Sequence, residues 1–118
     1  MNSCVFCRII EGELPAKKVY ENDMTLAFYD IAPDAPIHII VIPKLHIGSL
    51  AEITPENSCY AAACTEAIAR IAGLLNLDST GFRVITNHGK DAHQTIEHLH
   101  FHLLGGMDMG AKIVSENN

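Results

Sequence analysis

The sequence has few of the basic residues that mark several large functional classes. It contains 8 Lys and Arg residues against 14 Asp and Glu residues, which gives a formal net charge of -6 at pH 7. Because such a surface does not attract nucleic acid or an anionic membrane, sequence-independent binding to either is excluded. An anionic ligand must therefore be held by the local contacts of a specific site.

Long apolar runs and targeting patterns are also lacking. No stretch approaches the roughly 18 apolar residues of a membrane-spanning helix. The start, Met1-Asn2-Ser3-Cys4, is not followed by the basic segment and apolar core of a signal peptide. There is no internal repeat, low-complexity tract or linker rich in Pro, Ser or Gly. We therefore predict one cytoplasmic domain over residues 1–118, in which residues 107–118 form a C-terminal tail or arm.

Core-forming residues, by contrast, are plentiful. The chain has 118 residues, of which 48% are hydrophobic. A globule of this size removes roughly two-thirds of its unfolded surface from water. It therefore needs no disulfide scaffold to fold.

Apolar patterning predicts five strands. They are residues 17–21, 25–30, 37–42, 82–87 and 98–104. Asn22-Asp23, between the first two, has the residue types of a tight hairpin. The third is almost continuously apolar and β-branched, which is typical of a central strand covered on both faces.

Two helices accompany these strands. Thr54-Pro55-Glu56 has the order of N-cap, first-turn proline and first-turn acid, and predicts the start of a helix of about twenty residues. Its apolar stripe comprises Tyr60, Cys64, Ala67, Ile68, Ile71, Leu74 and Leu75. Residues 4–11 predict a short helix or irregular lead-in. The fold class is therefore α+β, a five-stranded, mainly antiparallel sheet with one long helix and a short N-terminal helix.

Histidine is unusually abundant, with 7 in the chain. Five of them fall within residues 88–102: His88, His93, His98, His100 and His102. Single exposed histidines are mostly polar surface residues without a function, but a row of them on one strand is uncommon. This cluster is the main candidate functional site.

The alternation of His98, His100 and His102 with apolar residues places the three rings on one face of a strand. Leu99, Phe101 and Leu103 then face the core. One metal ion cannot bind all three rings, since the first and last start about 13 Å apart and a metal–imidazole bond is about 2.0–2.1 Å. The row must therefore serve at least two subsites.

A metal site is predicted at the other end of the chain. Cys4-Val5-Phe6-Cys7 is a Cys-x-x-Cys motif, whose spacing suits tetrahedral zinc, but no second such motif exists. His46 and His98 could complete a Cys2His2 site. A redox dithiol and a pair of inert thiols are the alternatives. Cys59 and Cys64 point about 140° apart on the long helix and are both predicted to be small buried residues.

Residues His98 to Leu104 match the pattern His-φ-His-φ-His-φ-φ, in which φ is apolar. The chain thereby resembles the histidine triad (HIT) superfamily, and within it the histidine triad nucleotide-binding (HINT) branch of the bacterial type with an N-terminal Cys-x-x-Cys. Other matching segments, in order, are Cys4-Val5-Phe6-Cys7-Arg8-Ile9-Ile10, Leu14-Pro15-Ala16, Ala27-Phe28-Tyr29-Asp30-Ile31, Ala35-Pro36-Ile37-His38, Val41-Ile42-Pro43-Lys44 and Gly105-Gly106.

The resemblance implies a hydrolase that cleaves purine nucleoside 5′-phosphoramidates, such as AMP joined to an amine. It implies that His100 is the nucleophile and forms a transient nucleotidyl-histidine, with His102 and His38 flanking the phosphate or orienting the nucleophile. The implied nucleotide-binding residues are Asp30, Ile31, Asn87, Gln94, Thr95, His100 and His102. Without the resemblance, several of these would be ordinary turn, loop or core residues.

The resemblance further implies a structural zinc on Cys4, Cys7, His46 and His98, with no cofactor needed for the chemistry. It also implies a homodimer. Two departures from the family pattern bear on specificity. His93 stands where relatives commonly have Gly, so the backbone there is expected to approach the phosphate less closely, and the tail after Gly106 lacks the aromatic ending of some relatives.

Three alternatives remain open from the sequence. The first is hydrolysis of dinucleoside polyphosphates, as in another branch of the superfamily. The second is a nucleotide-binding interaction protein whose hydrolysis is incidental. The third is a zinc hydrolase with its metal on the histidine face. The sequence assigns no role to His88 or His93.

Overall fold

A computed structural model of the protein describes residues 3–114. Its five strands form one antiparallel sheet in the order β1-β2-β3-β5-β4. They are β1 (Lys18–Glu21), β2 (Thr25–Tyr29), β3 (Ile37–Pro43), β4 (Phe82–Ile85) and β5 (Phe101–Gly105). The predicted α+β class, the existence of five strands and the central position of β3 are confirmed. The last strand begins at Phe101 and not at His98 as predicted, so His98 and His100 precede it.

Three α-helices accompany the sheet: α1 (Val5–Ile10), α2 (Ser58–Leu74) and α3 (Leu77–Thr80). Single 3-10 turns occur at Leu50–Glu52 and Lys90–Ala92. The sequence did not predict α3. Its side chain Leu77 lies against Gly105, where an added Cβ would come 2.8 Å from Leu77 Cδ2. Glycine at the end of β5 thus lets α3 approach the strand.

The predicted start of the long helix is wrong by three residues. α2 begins at Ser58 with Asn57 as its N-cap residue. Thr54 instead opens a preceding turn, in which its backbone N–H donates to Asn57 Oδ1 at 2.7 Å and its carbonyl accepts from Ser58 N at 2.9 Å. The Asn57 side chain therefore closes this turn and leaves the helix to start after it.

α2 packs on one face of the sheet and forms the larger core with it. Ile39, Val41, Leu99 and Leu103 from the sheet side meet Ile71 from the helix, and all five side chains are almost inaccessible. Most of the predicted helix stripe lies in this core. Leu74 does not, since it is 67% exposed at the helix end.

The opposite face of the sheet carries a smaller core beneath α1. It consists of Phe6, Ile9, Leu26, Phe28, Ile40 and Ile42. The predicted short N-terminal helix is confirmed, and Cys4 caps it by accepting a hydrogen bond at Sγ from Cys7 N at 3.4 Å. The row of histidines lies on this second face.

Part of the predicted tail is fixed to the sheet. The guanidinium group of Arg83 on β4 donates hydrogen bonds to the carbonyl oxygens of Met109 and Gly110, at 3.3 and 2.7 Å. Residues 115–118 of the predicted tail lie outside the described residues. None of the helices within residues 3–114 is both long and apolar enough to cross a membrane.

Candidate active site and metal centre

The predicted metal ligands lie together. One ligand atom each from Cys4, Cys7, His46 and His98 lies within 4.8 Å of all the others. His98 Nδ1 is 3.4 Å from Cys4 Sγ and 3.5 Å from Cys7 Sγ, while His46 Nδ1 is 3.2 Å from Cys7 Sγ. Two sulfurs and two imidazole nitrogens at such spacing are the donor set that tetrahedral zinc prefers.

His98 is prepared as a ligand by its surroundings. Its Nε2–H donates to the carbonyl oxygen of Pro43 at 2.9 Å, which leaves the lone pair of Nδ1 directed at the two sulfurs. The ring is fully buried, and burial lowers the pKa of His98 to about 4. The ring is therefore neutral near pH 7 and its Nδ1 is available to a metal, so the residues present fit zinc.

The middle histidine of the row has the opposite arrangement. Nδ1–H of His100 donates to the backbone carbonyl of His98 at 2.7 Å. Its neutral ring thus keeps the lone pair on Nε2. His100 is 6% exposed and lines a mostly apolar cavity beneath α1. An imidazole fixed in this tautomer can act as a nucleophile toward a group bound in that cavity.

His38 and His102 form a hydrogen-bonded pair. The backbone N–H of Asp34 donates to His38 Nδ1 at 3.0 Å, so the neutral ring of His38 carries its proton on Nε2. That N–H lies 2.8 Å from His102 Nδ1 and 3.5 Å from Asp30 Oδ2. His102 consequently accepts at Nδ1 and presents its own proton at Nε2.

This tautomer argues against a metal on the histidine face. Ligand atoms of Asp30, His38 and His102 do lie within 4.8 Å of one another. However, His38 Nε2 holds a proton as long as Nδ1 accepts from the Asp34 amide, and a protonated nitrogen cannot ligate a metal. Burial, reinforced by the neighbouring His100 and His38 rings, lowers the pKa of His102. His38 and His102 are therefore a hydrogen-bonded pair beside the Asp30 carboxylate.

A cavity of about 390 Å³ opens beside His100. Its lining includes Asp30, Ile31, Thr95, His100 and His102, five of the predicted nucleotide-binding residues. The Asp30 Oδ1 atom accepts from Ala32 N at 2.8 Å, which leaves Oδ2 for other partners. Ile31 is fully exposed at 102%, so its side chain is an uncovered apolar surface at the cavity rim.

Two other predicted residues, Asn87 and Gln94, are absent from the lining of this cavity. The Gln94 side chain is occupied within the loop: Nε2 donates to Gly48 O at 2.8 Å and to Ile96 O at 3.0 Å, and Oε1 accepts from Gly89 N at 3.1 Å. This amide holds the loop that carries Thr95. The structure thus places Gln94 as a support of the loop, and its predicted contact with the nucleotide stays a prediction.

The two unassigned histidines lie in the same loop. His88 Nδ1 is 2.7 Å from Ser49 Oγ, which fastens the start of the loop to the segment after β3. His93 is exposed and has φ 58° and ψ 42°. It therefore adopts the left-handed conformation that favours glycine. The backbone at this position thus has a conformation typical of glycine, although the residue here is His93 where relatives commonly have Gly.

The prediction that Cys59 is buried is wrong, since its side chain is exposed. It lies in the first turn of α2, one residue after Ser58, on the side that faces away from the sheet. Cys64 is fully buried as predicted, and burial raises the pKa of its thiol to about 12. Neither thiol lies in the predicted metal site.

Sequence reasoning missed the apolar residues of the N-terminal segment that line the cavity. They are Val5, Phe6, Ile9, Leu14, Pro15 and Ala16. Phe6 also packs edge-on against His100, with ring centroids 5.1 Å apart. The sequence feature that could have identified Phe6 is its position inside the Cys-x-x-Cys motif, between two cysteines that a metal would hold in place.

Comparison with known proteins identifies the fold and its relatives. The family model described as "HIT domain" matches residues 11–109. An uncharacterized HIT-like protein of Helicobacter pylori is 44% identical over 102 residues, which cover 86% of this chain and 95% of that protein. An adenosine 5′-monophosphoramidase of Candida albicans is 38% identical over 112 residues, covering 90% of this chain and 72% of that protein.

Solved structures show the same similarity. A HIT family hydrolase from Clostridium thermocellum superposes with a TM-score of 0.93 at 45% identity, covering 97% of this chain and 99% of that one. A histidine triad nucleotide-binding protein from Candida albicans has a TM-score of 0.79 at 33% identity, with coverage of 98% and 88%. The similarity in fold therefore extends over nearly the whole chain.

Proposed function

The chain belongs to the HIT domain family, and from this premise we propose that it is a nucleotide-binding hydrolase that cleaves purine nucleoside 5′-phosphoramidates. The observation that carries the proposal is the hydrogen bond from His100 Nδ1–H to the carbonyl of His98 at 2.7 Å. It leaves a nucleophilic Nε2 at a cavity whose lining is mostly apolar and includes the Asp30 carboxylate and the Thr95 hydroxyl. The similarity to a named adenosine 5′-monophosphoramidase supports the same substrate class.

The first chemical step forms a covalent intermediate. His100 Nε2 attacks the α-phosphorus, a nitrogen–phosphorus bond to the ring forms, and the bond from phosphorus to the leaving amine breaks. The ring becomes positively charged, and the carbonyl of His98 stabilises that charge by accepting from Nδ1–H. The departing nitrogen takes a proton, which we assign to the Thr95 hydroxyl at the cavity, with water replacing it.

Water completes the reaction in a second step. Its oxygen attacks the same phosphorus and the bond to His100 Nε2 breaks. One proton of the water replaces the proton that Thr95 gave to the amine, so AMP leaves with the enzyme restored. His102 presents Nε2–H to the phosphate oxygens, where negative charge develops. His38 acts as a positioning residue, because it fixes which nitrogen of His102 carries the proton.

Asp30 and Ile31 are proposed to bind the nucleoside. Asp30 Oδ2 can accept from both ribose hydroxyls, since Oδ1 already accepts from the Ala32 amide. Ile31 offers an exposed apolar side chain that can cover a base. Burying that side chain under a purine ring stabilises the complex by roughly 1.5–3 kcal/mol.

We propose a structural role for zinc on Cys4, Cys7, His46 and His98. Cys4, Cys7, His46 and His98 would fill all four positions of a tetrahedral zinc, so none would remain for water or substrate. The metal would supply folding energy by tying α1 to the strand ends. Hydrolysis as proposed requires no metal.

A homodimer is proposed to form through the β4 edge. β4 lies at the end of the sheet, and Phe82, Val84 and Ile85 on it are 39%, 40% and 37% exposed. The opposite edge strand, β1, carries the Lys18–Glu21 ion pair, which is typical of an edge that avoids pairing. Sedimentation velocity tests this: Val84→Glu is expected to give monomers, while Lys18→Glu on β1 leaves the dimer intact.

Detection of the intermediate tests the proposed chemistry. The protein is mixed briefly with an AMP amidate and its intact mass is measured without acid. An adenylyl adduct on His100 is expected, and His93→Asn, which changes an exposed histidine outside the cavity, serves as the matched control with the same adduct. Full turnover by His100→Ala without any adduct would overturn the assignment.

Comparison of substrates separates the dinucleoside polyphosphate alternative. The cavity of about 390 Å³ has room for one nucleotide, which favours a substrate with a single nucleoside. We expect faster turnover of an AMP amidate than of a diadenosine polyphosphate. Faster turnover of the diadenosine polyphosphate would contradict the proposed substrate and indicate a dinucleoside polyphosphate hydrolase.

A further inference from the structure

Phe6 contacts both the predicted metal site and the proposed nucleophile. It lies between Cys4 and Cys7 in the first turn of α1, and its side chain is 6% exposed. Its ring packs edge-on against His98, a predicted metal ligand, with centroids 5.8 Å apart, and against His100, the proposed nucleophile, at 5.1 Å. The same ring also lines the nucleotide cavity.

The N-terminal segment supplies one whole side of that cavity. Its contribution is apolar throughout and consists of Val5, Phe6, Ile9, Leu14, Pro15 and Ala16. The polar lining comes from elsewhere: Asp30 follows β2, Thr95 lies in the loop before β5, His100 directly precedes β5 and His102 lies on it. A shift of α1 therefore opens the apolar side of the cavity and leaves the polar side in place.

α1 depends on its attachments. A helix of 6 residues is far too short to form by itself, because isolated helices below about 12–15 residues are marginal in water. It is held by the small core around Phe28 and Ile40, and by Cys4 and Cys7 at the four-ligand site. Cys4 and Cys7 flank Phe6 at the start of α1, so a metal bound to these two cysteines also fixes the position of Phe6.

We propose that occupation of the Cys4, Cys7, His46 and His98 site by zinc raises the affinity of the cavity for an AMP-type nucleotide, with Phe6 as the positioning residue that couples the two. This inference rests on the proposed function, since it takes the nucleotide to be the ligand of the cavity. Coupling between two ligands is reciprocal, so AMP must tighten zinc by the same factor by which zinc tightens AMP. Typical couplings of this kind amount to about 5–150-fold.

The test measures both directions without using turnover. Calorimetry gives the Kd of AMP for the zinc-loaded and zinc-free protein, and a chromophoric chelator in excess gives the rate of zinc release with and without saturating AMP. In the wild-type protein we expect AMP to bind roughly tenfold more tightly when zinc is present, and zinc release to be slower when AMP is bound. The release experiment starts from loaded protein, so it remains informative if the zinc-free form unfolds.

Two variants isolate the role of Phe6. Phe6→Ala is expected to retain zinc and bind AMP, but saturating AMP should no longer slow zinc release, and Phe6→Leu should restore part of the effect. Ile31→Ala is the matched control, since Ile31 lines the same cavity at its exposed rim and lies outside the N-terminal segment. It should weaken AMP while AMP still slows zinc release.

The outcomes separate this inference from the proposed function. Equal AMP affinity with and without zinc, or the same slowing of zinc release in Phe6→Ala as in the wild type, would overturn the coupling and leave the proposed hydrolysis intact. A protein that binds no zinc also overturns it. Failure of AMP to bind in any state would contradict the proposed function itself, and the inference with it.

Discussion

His98 and His100 are the same residue type on the same sheet face, two positions apart, yet they offer opposite ring nitrogens. His98 donates from Nε2 to the carbonyl of Pro43 and leaves Nδ1 free, whereas His100 donates from Nδ1 to the carbonyl of His98 and leaves Nε2 free. One free nitrogen faces two cysteine sulfurs and the other faces a cavity. The nearest carbonyl oxygen, by choosing the tautomer, thus separates a candidate metal ligand from a candidate nucleophile.

The largest effects, on turnover and on zinc content, are expected from two separate single variants at His100 and His98. His100→Ala should lower turnover of an AMP amidate by about 10³-fold or more, because the covalent route is lost. Its affinity for AMP and its zinc content should remain close to those of the wild type. His98→Ala should instead lose zinc. Single-turnover kinetics and metal analysis of both variants check this, and zinc loss from His100→Ala would contradict the division of roles.

The second largest effect, on kcat, is expected at His38, which acts by donating a hydrogen bond to His102. His38→Ala removes the donor to His102 Nδ1, so either tautomer of His102 becomes available. We expect kcat to fall by about 10²-fold with little change in AMP affinity. Gln can donate from a nearby position, and His38→Gln should recover part of kcat. Equal loss in both variants would indicate that His38 acts through packing alone.

At the metal end the effect should appear in stability. Cys7→Ser removes one of four ligands and should lower the free energy of unfolding of the zinc-loaded protein by about 2–4 kcal/mol. Cys59→Ser is the matched control, because that thiol is exposed and lies outside the site. Urea unfolding with and without a chelator measures the difference. A chelator should destabilise the wild type and the control but leave Cys7→Ser unchanged.

Much of this arrangement was predictable from the sequence, and the remainder depends on contacts that only the folded chain makes. Alternation placed His98, His100 and His102 on one face, and Cys-x-x-Cys pointed to the four ligands that the fold brings together. The tautomers of His98 and His38 were not predictable, because Pro43 O and the Asp34 amide belong to segments far from these rings in sequence or outside the row. The start of α2 was missed for a local reason, since Asn57 closes a turn that competes with helix formation.

A smaller effect is expected when pH is lowered at the cavity end. The pKa of His102 is lowered from its usual 6.5, mainly by burial. The unfolded chain therefore takes up a proton on this ring at a higher pH than the folded chain does. The resulting contribution to stability is present above pH 6.5 and is lost as the pH falls through the lowered folded value. In urea unfolding of the zinc-loaded protein at pH 7 and 5.5, His102→Asn should lose less stability than the wild type, and an equal loss would contradict this.

The smallest effect is expected at His93, a histidine that serves neither end of the row. Its φ of 58° costs roughly 1–2 kcal/mol for a residue with a side chain. Glycine would remove that strain, but it also gives the unfolded chain more freedom, which costs about 0.4–1 kcal/mol. His93→Gly should therefore change the free energy of unfolding by less than about 1 kcal/mol, with turnover unchanged, whereas the β-branched His93→Val should destabilise the protein. Loss of turnover in a folded His93→Gly protein would show that this side chain takes part in binding the phosphate, and that the loop and the row act together.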